Sequence, residues 1–241
     1  MKKEKIVNDL FKLQDLKYRD FQSRLIPDIP KEKIIGVRTP GLKKFAKALA
    51  KEEDIYNWNS DFVLFNDYYF YEEKNLKALL ISIIGKNSFE FTINETKKFL
   101  PVVDNWATCD LFCPAAFSKT PDKTYAEVLS FLKSTETFTV RFGIRTLISL
   151  FTGENYFLYK PEDFNTTGDL VASIKTDQYY INMAMAWYFA ELLVKHFDET
   201  IYILKDKMLS KEVHNKTIQK AVESFRISQE NKAVLRKLKI Y

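Results

Sequence analysis

Residues 137–151 read TFTVRFGIRTLISLF, and the way they fold decides the class of the chain. The first half alternates β-branched and aromatic residues, which is the period of a strand. Over the full stretch, Val140, Ile144, Leu147, Ile148 and Phe151 share one face at helical spacing. No partner strand is evident nearby, so a helix is expected.

The same spacing recurs on either side. Leu42, Phe45, Ala46 and Leu49 form one apolar stripe, and Leu76, Leu79, Leu80, Ile83 and Ile84 form another. Near the end, Ile218, Ala221, Val222 and Phe225 repeat it. The run from Tyr179 to Glu191 is apolar nearly all round, as a central helix would be. Six glycines and seven prolines in 241 residues are too few for the frequent turns of an all-β fold.

Punctuation agrees with helices. Thr39 reads as an N-cap with Pro40 at N1, and Ser60-Asp61, Asn87-Ser88 and Thr176-Asp177 read as further caps. Gly85 stands where a helix from near Glu72 should end. The expectation is all-α, with roughly ten to twelve helices of about 10–20 residues. No Pro/Gly/Ser-rich linker divides residues 1–241, so a single domain is expected. Helix pairs spaced at about 35–45 residues suggest a HEAT-like solenoid, whose stacked pairs present a concave groove.

Charge and cysteines bound the function. A net charge of +5 is compatible with a polyanion partner without demanding one. Basic residues gather in 31–51, including Arg38 and Lys43, and in 211–241. Both stretches read either as phosphate-facing or as solvated helix faces. Cys109 and Cys113 lie four apart, while His196 and His214 are far off without a paired motif. A structural zinc needs four ligands, so buried reduced thiols are expected, with no metal and no cofactor. Phosphate-binding glycine loops and the GxSxG elbow are absent. The N-terminal stretch lacks the apolar core of a signal peptide, and no apolar run is long enough to span a bilayer. A cytoplasmic monomer is expected.

Three constellations can carry chemistry. Asp104 or Asn105 can cap a helix that sets Trp106 and Asp110 one turn apart on one face. A carboxylate beside an indole suits stabilisation of a developing cation, because the ring face adds its quadrupole to the charge. The plainer alternative is an amphipathic helix with a half-buried Trp and a solvated Asp. Trp187 is either part of such a site or part of the core. Arg141 and Arg145, one turn apart, either grip a phosphate backbone or form a solvated face with local ion pairs.

Taken in order, these segments resemble the AlkD-like DNA alkylation repair family. Ile35-Gly36-Val37-Arg38-Thr39-Pro40-Gly41-Leu42-Lys43-Lys44 is similar to the family's GVR-x-P-x-L-[RK]-K opening. Val103 to Asp110 is similar to VDNW-x-x-x-D, and Val140-Arg141 stands where an RR-x-A-I segment is expected. Ile181 through Glu191, then Ala221 to Arg226, is similar to the family's A-x-x-W-x-x-x-E helix and its K-A-x-E-S-x-R ending. The resemblance implies HEAT-like helix pairs with a basic channel for double-stranded DNA. It implies hydrolysis of the N-glycosidic bond of cationic alkylpurines such as 3-methyladenine and 7-methylguanine, without the usual extrusion of the base. It assigns Asp110 as the catalytic carboxylate, Trp106 and Trp187 as flanks of the deoxyribose, and Arg141 as a backbone contact. Arg145, Arg38 and Lys43 are further expected DNA contacts.

The chemistry is coherent. A cationic alkylpurine leaves without an acid, so the difficult species is the oxocarbenium-like sugar. A carboxylate stabilises it and orients water, and each indole face adds about 0.5–2 kcal/mol. The chain departs from the pattern at Ala107, where an acid is common, at Arg141, where basic residues are paired, and at Asn182-Met183, in a usually basic stretch. The last two imply less positive charge near the channel. Two other classes stay open: a non-catalytic DNA-binding relative, and a helical protein-interaction scaffold.

Overall fold

The computed structural model describes residues 3–52 and 68–241. The expected Ser60-Asp61 cap lies outside them. The described residues are all-α, and the only strand-like pairing among them is one antiparallel bridge between Gln14 and Val37. The chain divides into two compact units, residues 1–120 and 121–241.

The N-terminal unit contains α1 (Lys3–Phe11), α2 (Leu16–Leu25), α3 (Thr39–Leu49), α4 (Tyr71–Ile84), α5 (Phe89–Phe99), α6 (Trp106–Leu111) and α7 (Ala115–Lys119). Its main core joins Ile6 and Leu10 of α1, Leu42, Ala46 and Leu49 of α3, and Leu76, Leu79 and Leu80 of α4. These are the stripes read from the sequence, with Phe45, Ile83 and Ile84 partly buried beside them. A satellite cluster of Ile26, Ile29, Ile34 and Tyr71 lies under the connection between α2 and α3.

The C-terminal unit contains α8 (Pro121–Leu132), α9 (Thr137–Leu150), α10 (Thr167–Ser173), α11 (Tyr179–Lys195), α12 (Phe197–Thr200), α13 (Tyr202–Lys205), α14 (Lys211–Glu223) and α15 (Gln229–Lys237). Residues 137–150 are helical, and all five positions of the stripe are buried. Tertiary burial of that face outweighs the β propensity of its first half. The central helix is α11, packed between α9 and α14, with Tyr188, Phe189, Leu192 and Leu193 inside.

The described residues hold ten helices of nine or more residues and five of four to seven. The long ones match the count expected from periodicity. The short ones carry too few turns to register as a stripe. Several caps shift. The helix α3 begins at Thr39, so Arg38 is its N-cap and bonds no N–H with its side chain. Ser88 caps α5 as expected, accepting from the Phe91 N–H. The Thr176-Asp177 cap moves to Gln178, whose N–H bonds back to Thr176 Oγ1 at 3.1 Å. Gly85 ends α4 at φ −77°, not in the left-handed region. Its lack of a side chain matters for a different reason: a Cβ there would lie 2.2 Å from Thr92 Oγ1. The expected stripe of α14 stops early. Ile218 and Ala221 are buried, but the helix ends at Glu223 and Phe225 is 92% exposed in the following turn. The basic stretch after Gln229 is ordered as α15.

Candidate functional site

The VDNW segment becomes the end of one loop and the start of α6. Asn105, fully buried, is the cap, and its Oδ1 accepts the Thr108 N–H at 2.8 Å. Asn105 Nδ2 donates to Thr108 Oγ1 and to Asp104 Oδ1, each at 3.0 Å. The Thr108 hydroxyl donates to Asn75 Oδ1 on α4 at 2.7 Å. Lys74, one residue earlier on α4, holds Asp104 at 2.5 Å. A six-residue helix gains little from its own hydrogen bonds. This one is fixed from outside, by α4 through Asn75 and Lys74 and by the buried Cys109.

Trp106 and Asp110 occupy the opposite side of α6, one turn apart, and both are half-buried. The Trp106 N–H donates to the Leu25 carbonyl at 3.0 Å, and the ring packs on the satellite cluster. The indole is therefore held in one orientation. Its polar edge is already committed, so what it can still offer a ligand is ring face.

The GVR opening has its own anchor, which sequence reasoning missed. Three successive backbone N–H groups converge on the Glu72 carboxylate: Ile35 at 2.9 Å, Gly36 at 2.7 Å and Val37 at 3.1 Å. Only a bend at Gly36, with φ +95°, lets them converge. A Cβ at Gly36 would also meet Arg19 Cβ and the Asp15 carbonyl, both at 2.7 Å. Burial pushes the Glu72 carboxyl up from its ordinary value, against the three backbone bonds that pull it down. Glu72 falls inside α4, where a polar residue reads as solvated, so nothing in the periodicity signals its burial.

The expected DNA contacts differ from one another in exposure. Arg38 is exposed, but Nε donates to Asp15 at 2.8 Å and the guanidinium lies 5.1 Å from the Tyr18 ring centroid. The Tyr18 N–H first, and then Arg38, hold the Asp15 carboxyl below its ordinary value. Lys43 projects from the exposed side of α3.

In the C-terminal unit, Arg141 is only 6% exposed, and Nη1 donates to the Tyr180 carbonyl at 2.9 Å, tying α9 to α11. Arg145 is half-buried, with Nη1 on Ser149 Oγ at 2.6 Å. The two guanidiniums thus sit in different surroundings although one turn separates them. Trp187 is half-buried against the core of this unit. One turn on, Glu191 takes a two-pronged bond from Arg226, at 3.0 and 2.6 Å. Of the pair that stands in the usually basic stretch, Asn182 is buried and Met183 half-buried. Cys109 is buried and Cys113 exposed, so the expectation of two buried thiols holds for Cys109 alone. No helix among the described residues is long and apolar enough to cross a membrane.

Within the N-terminal unit, then, the structure brings Trp106 and Asp110 together on one short, externally braced helix, beside a loop clamped by a buried carboxylate. No curated protein and no solved structure matched the chain. A family model described as DNA alkylation repair enzyme matches residues 6–225, which take in the quoted segments up to Phe225. The all-α pairing of helices is consistent with the HEAT-like fold of that family. The chain belongs to the DNA alkylation repair enzyme family.

Proposed function

We propose that the protein is a DNA glycosylase that hydrolyses the N-glycosidic bond of cationic N3- or N7-alkylpurines in duplex DNA. The observation that carries this reading is the pairing of Asp110 with Trp106 on one face of α6, both half-buried, in a chain of this family. A half-buried carboxylate is screened less by water than a surface one, so its attraction for a cationic sugar is stronger. As the base departs, positive charge develops at the anomeric carbon and its ring oxygen. Asp110 stabilises that charge and orients a water toward the carbon. The bond electrons leave with the purine, whose own positive charge they neutralise, and no acid is needed. The ring face of Trp106 stabilises the same cation, its N–H being held by Leu25. The resemblance also implies roles for Trp187 and Arg141, and the charge pattern adds Arg145, Arg38 and Lys43 as DNA contacts, each open to test by single substitution.

The test is release of 7-methylguanine and 3-methyladenine from methylated duplex DNA. The native chain at high enzyme excess should release base, and Asp110→Asn should lower the rate by about 100-fold or more. Trp106→Ala should lower it less, by about 3–30-fold, in line with one cation–π contact. Absence of base release by the native chain, with salt-dependent duplex binding retained, would replace this reading with that of a non-catalytic DNA-binding protein.

A further inference from the structure

The basic residues after position 210 do not form a flat charged stripe. Lys211, Lys216, Arg236 and Lys239 line a cleft of about 900 Å³ in the C-terminal unit, formed by α14 and the segment of α15 and its tail. Ile218 and Val222 also line it. Ile218 is buried, and Val222 is partly buried against the core. Tyr241, 96% exposed, is also part of the lining. Glu212 is the only acidic side chain in the lining among the described residues.

The cleft is built, not an accident of a loose tail. Asn215 Nδ2 donates to the Ile240 carbonyl at 2.6 Å, and Asn215 Oδ1 accepts the Ile240 N–H at 2.9 Å. The fully buried His214 bonds the Leu238 carbonyl through Nε2 at 2.8 Å. These three bonds fasten residues 238–240 to α14. The match to the family model ends at residue 225, so Arg236, Lys239 and Tyr241 stand on sequence beyond it.

Shape and charge select the occupant. Lys211, Asn215, Ile218 and Val222 follow one another at i, i+4, i+7 and i+11, a single stripe along three turns of α14. Eleven residues at helical rise span about 16 Å. An elongated furrow of that length fits a chain segment better than a compact metabolite. Four cations against one acidic side chain call for an anionic occupant. Duplex phosphates would leave the aliphatic floor facing charge, and a run of stacked bases needs successive aromatic platforms, where the lining has a single ring, Tyr241, beside Ile218 and Val222. An amphipathic helix satisfies both features. Its apolar side chains cover Ile218 and Val222, and its carboxylates meet the rim.

We propose that this cleft docks an acidic amphipathic helix of a partner protein. The proposal stands apart from the glycosylase reading, since it uses neither Asp110 nor either Trp. The probe is a fluorescein-labelled peptide of about 16 residues with Leu at helical spacing and Glu elsewhere, titrated against the full chain at low salt. A peptide with Lys in place of Glu and an oligothymidylate serve as comparisons. The acidic peptide should bind saturably, and the Arg236→Glu/Lys239→Glu double variant should weaken it by about tenfold or more. Val222→Asp, checked for an unchanged helical spectrum, should do the same. The proposal is overturned if the acidic peptide does not bind, or if the lysine peptide binds as well. It is equally overturned if the double variant binds as the native chain does, or if the oligothymidylate is the ligand that the double variant loses.

Discussion

The two units hold their helices together with different materials. All three buried carboxylates among the described residues, Glu72, Glu73 and Glu95, belong to the N-terminal unit. They are joined there by Asn75, Lys77, Asn105 and Thr108. The C-terminal unit closes on one large cluster that includes residues of α8, α9, α11 and α14, and six of the unit's ten buried polar or charged residues are threonines. The difference follows from the backbone. Long helices satisfy their own N–H and C=O groups and need only an apolar face. The GVR loop and the six-residue α6 do not, and buried polar side chains must complete their hydrogen bonding. Candidate chemistry sits on the irregular backbone, so the unit that carries Asp110 is the one that buries acids.

If that contrast is right, one carboxylate should matter most. Glu72→Ala leaves three buried backbone N–H groups without a partner, at about 1–3 kcal/mol each before relaxation. We expect a loss of about 3–6 kcal/mol in urea unfolding, or no folded protein. Glu72→Gln, which keeps one acceptor oxygen and adds donors facing donors, should recover only part of it. A loss under about 1 kcal/mol for Glu72→Ala would break the comparison.

In the C-terminal unit the order should reverse. Phe189→Ala opens a cavity beside the fully buried Tyr188 and Leu192 and should cost about 3–5 kcal/mol. Tyr188→Phe removes a buried polar bond, the hydroxyl donating to Thr167 Oγ1 at 2.8 Å, and should cost only about 1 kcal/mol. If Tyr188→Phe proves the more damaging of the two, the unit is held by polar contacts after all.

This contrast also explains what could be read from the sequence. The stripes of α3, α4, α9 and α11 were legible because packing repeats with the helical period, and residues 137–151 resolved correctly for that reason. Trp106 and Asp110 were placed together by a spacing of four, and Asn105 was one of two caps offered for their helix. Periodicity gave no access to Glu72 or Lys77, whose burial depends on residues 35–37 and on Glu95, far away in sequence. Nor could it rank Arg141 against Arg145. Their exposure depends on where Tyr180 lies, and that is a tertiary fact. Phe225 misled because its spacing continues a stripe after the helix carrying it has ended.

Titration of one buried ammonium tests the N-terminal unit through pH. Burial lowers the Lys77 ammonium to about 8, against the raising influence of Glu95 at 3.2 Å and with a further lowering by Lys98. Its unfolded value is about 10.4. Between pH 8 and 10 the unfolded chain therefore binds more protons than the folded one, and stability rises with pH. Above about pH 10 the tyrosines oppose this, because Tyr125 and Tyr202 are raised to about 12 and lose their protons first in the unfolded chain. Urea unfolding from pH 7.5 to 9.5 thus avoids the tyrosines. The native chain should gain stability over this range, and Lys77→Met should flatten the curve while Lys98, 3.1 Å from Glu95, keeps that carboxylate paired. The difference between the two curves removes every other titrating group. A rise that survives Lys77→Met would mean that the ammonium is hydrated in solution, and the buried Lys77–Glu95 pair would no longer count among the contacts that set the N-terminal unit apart.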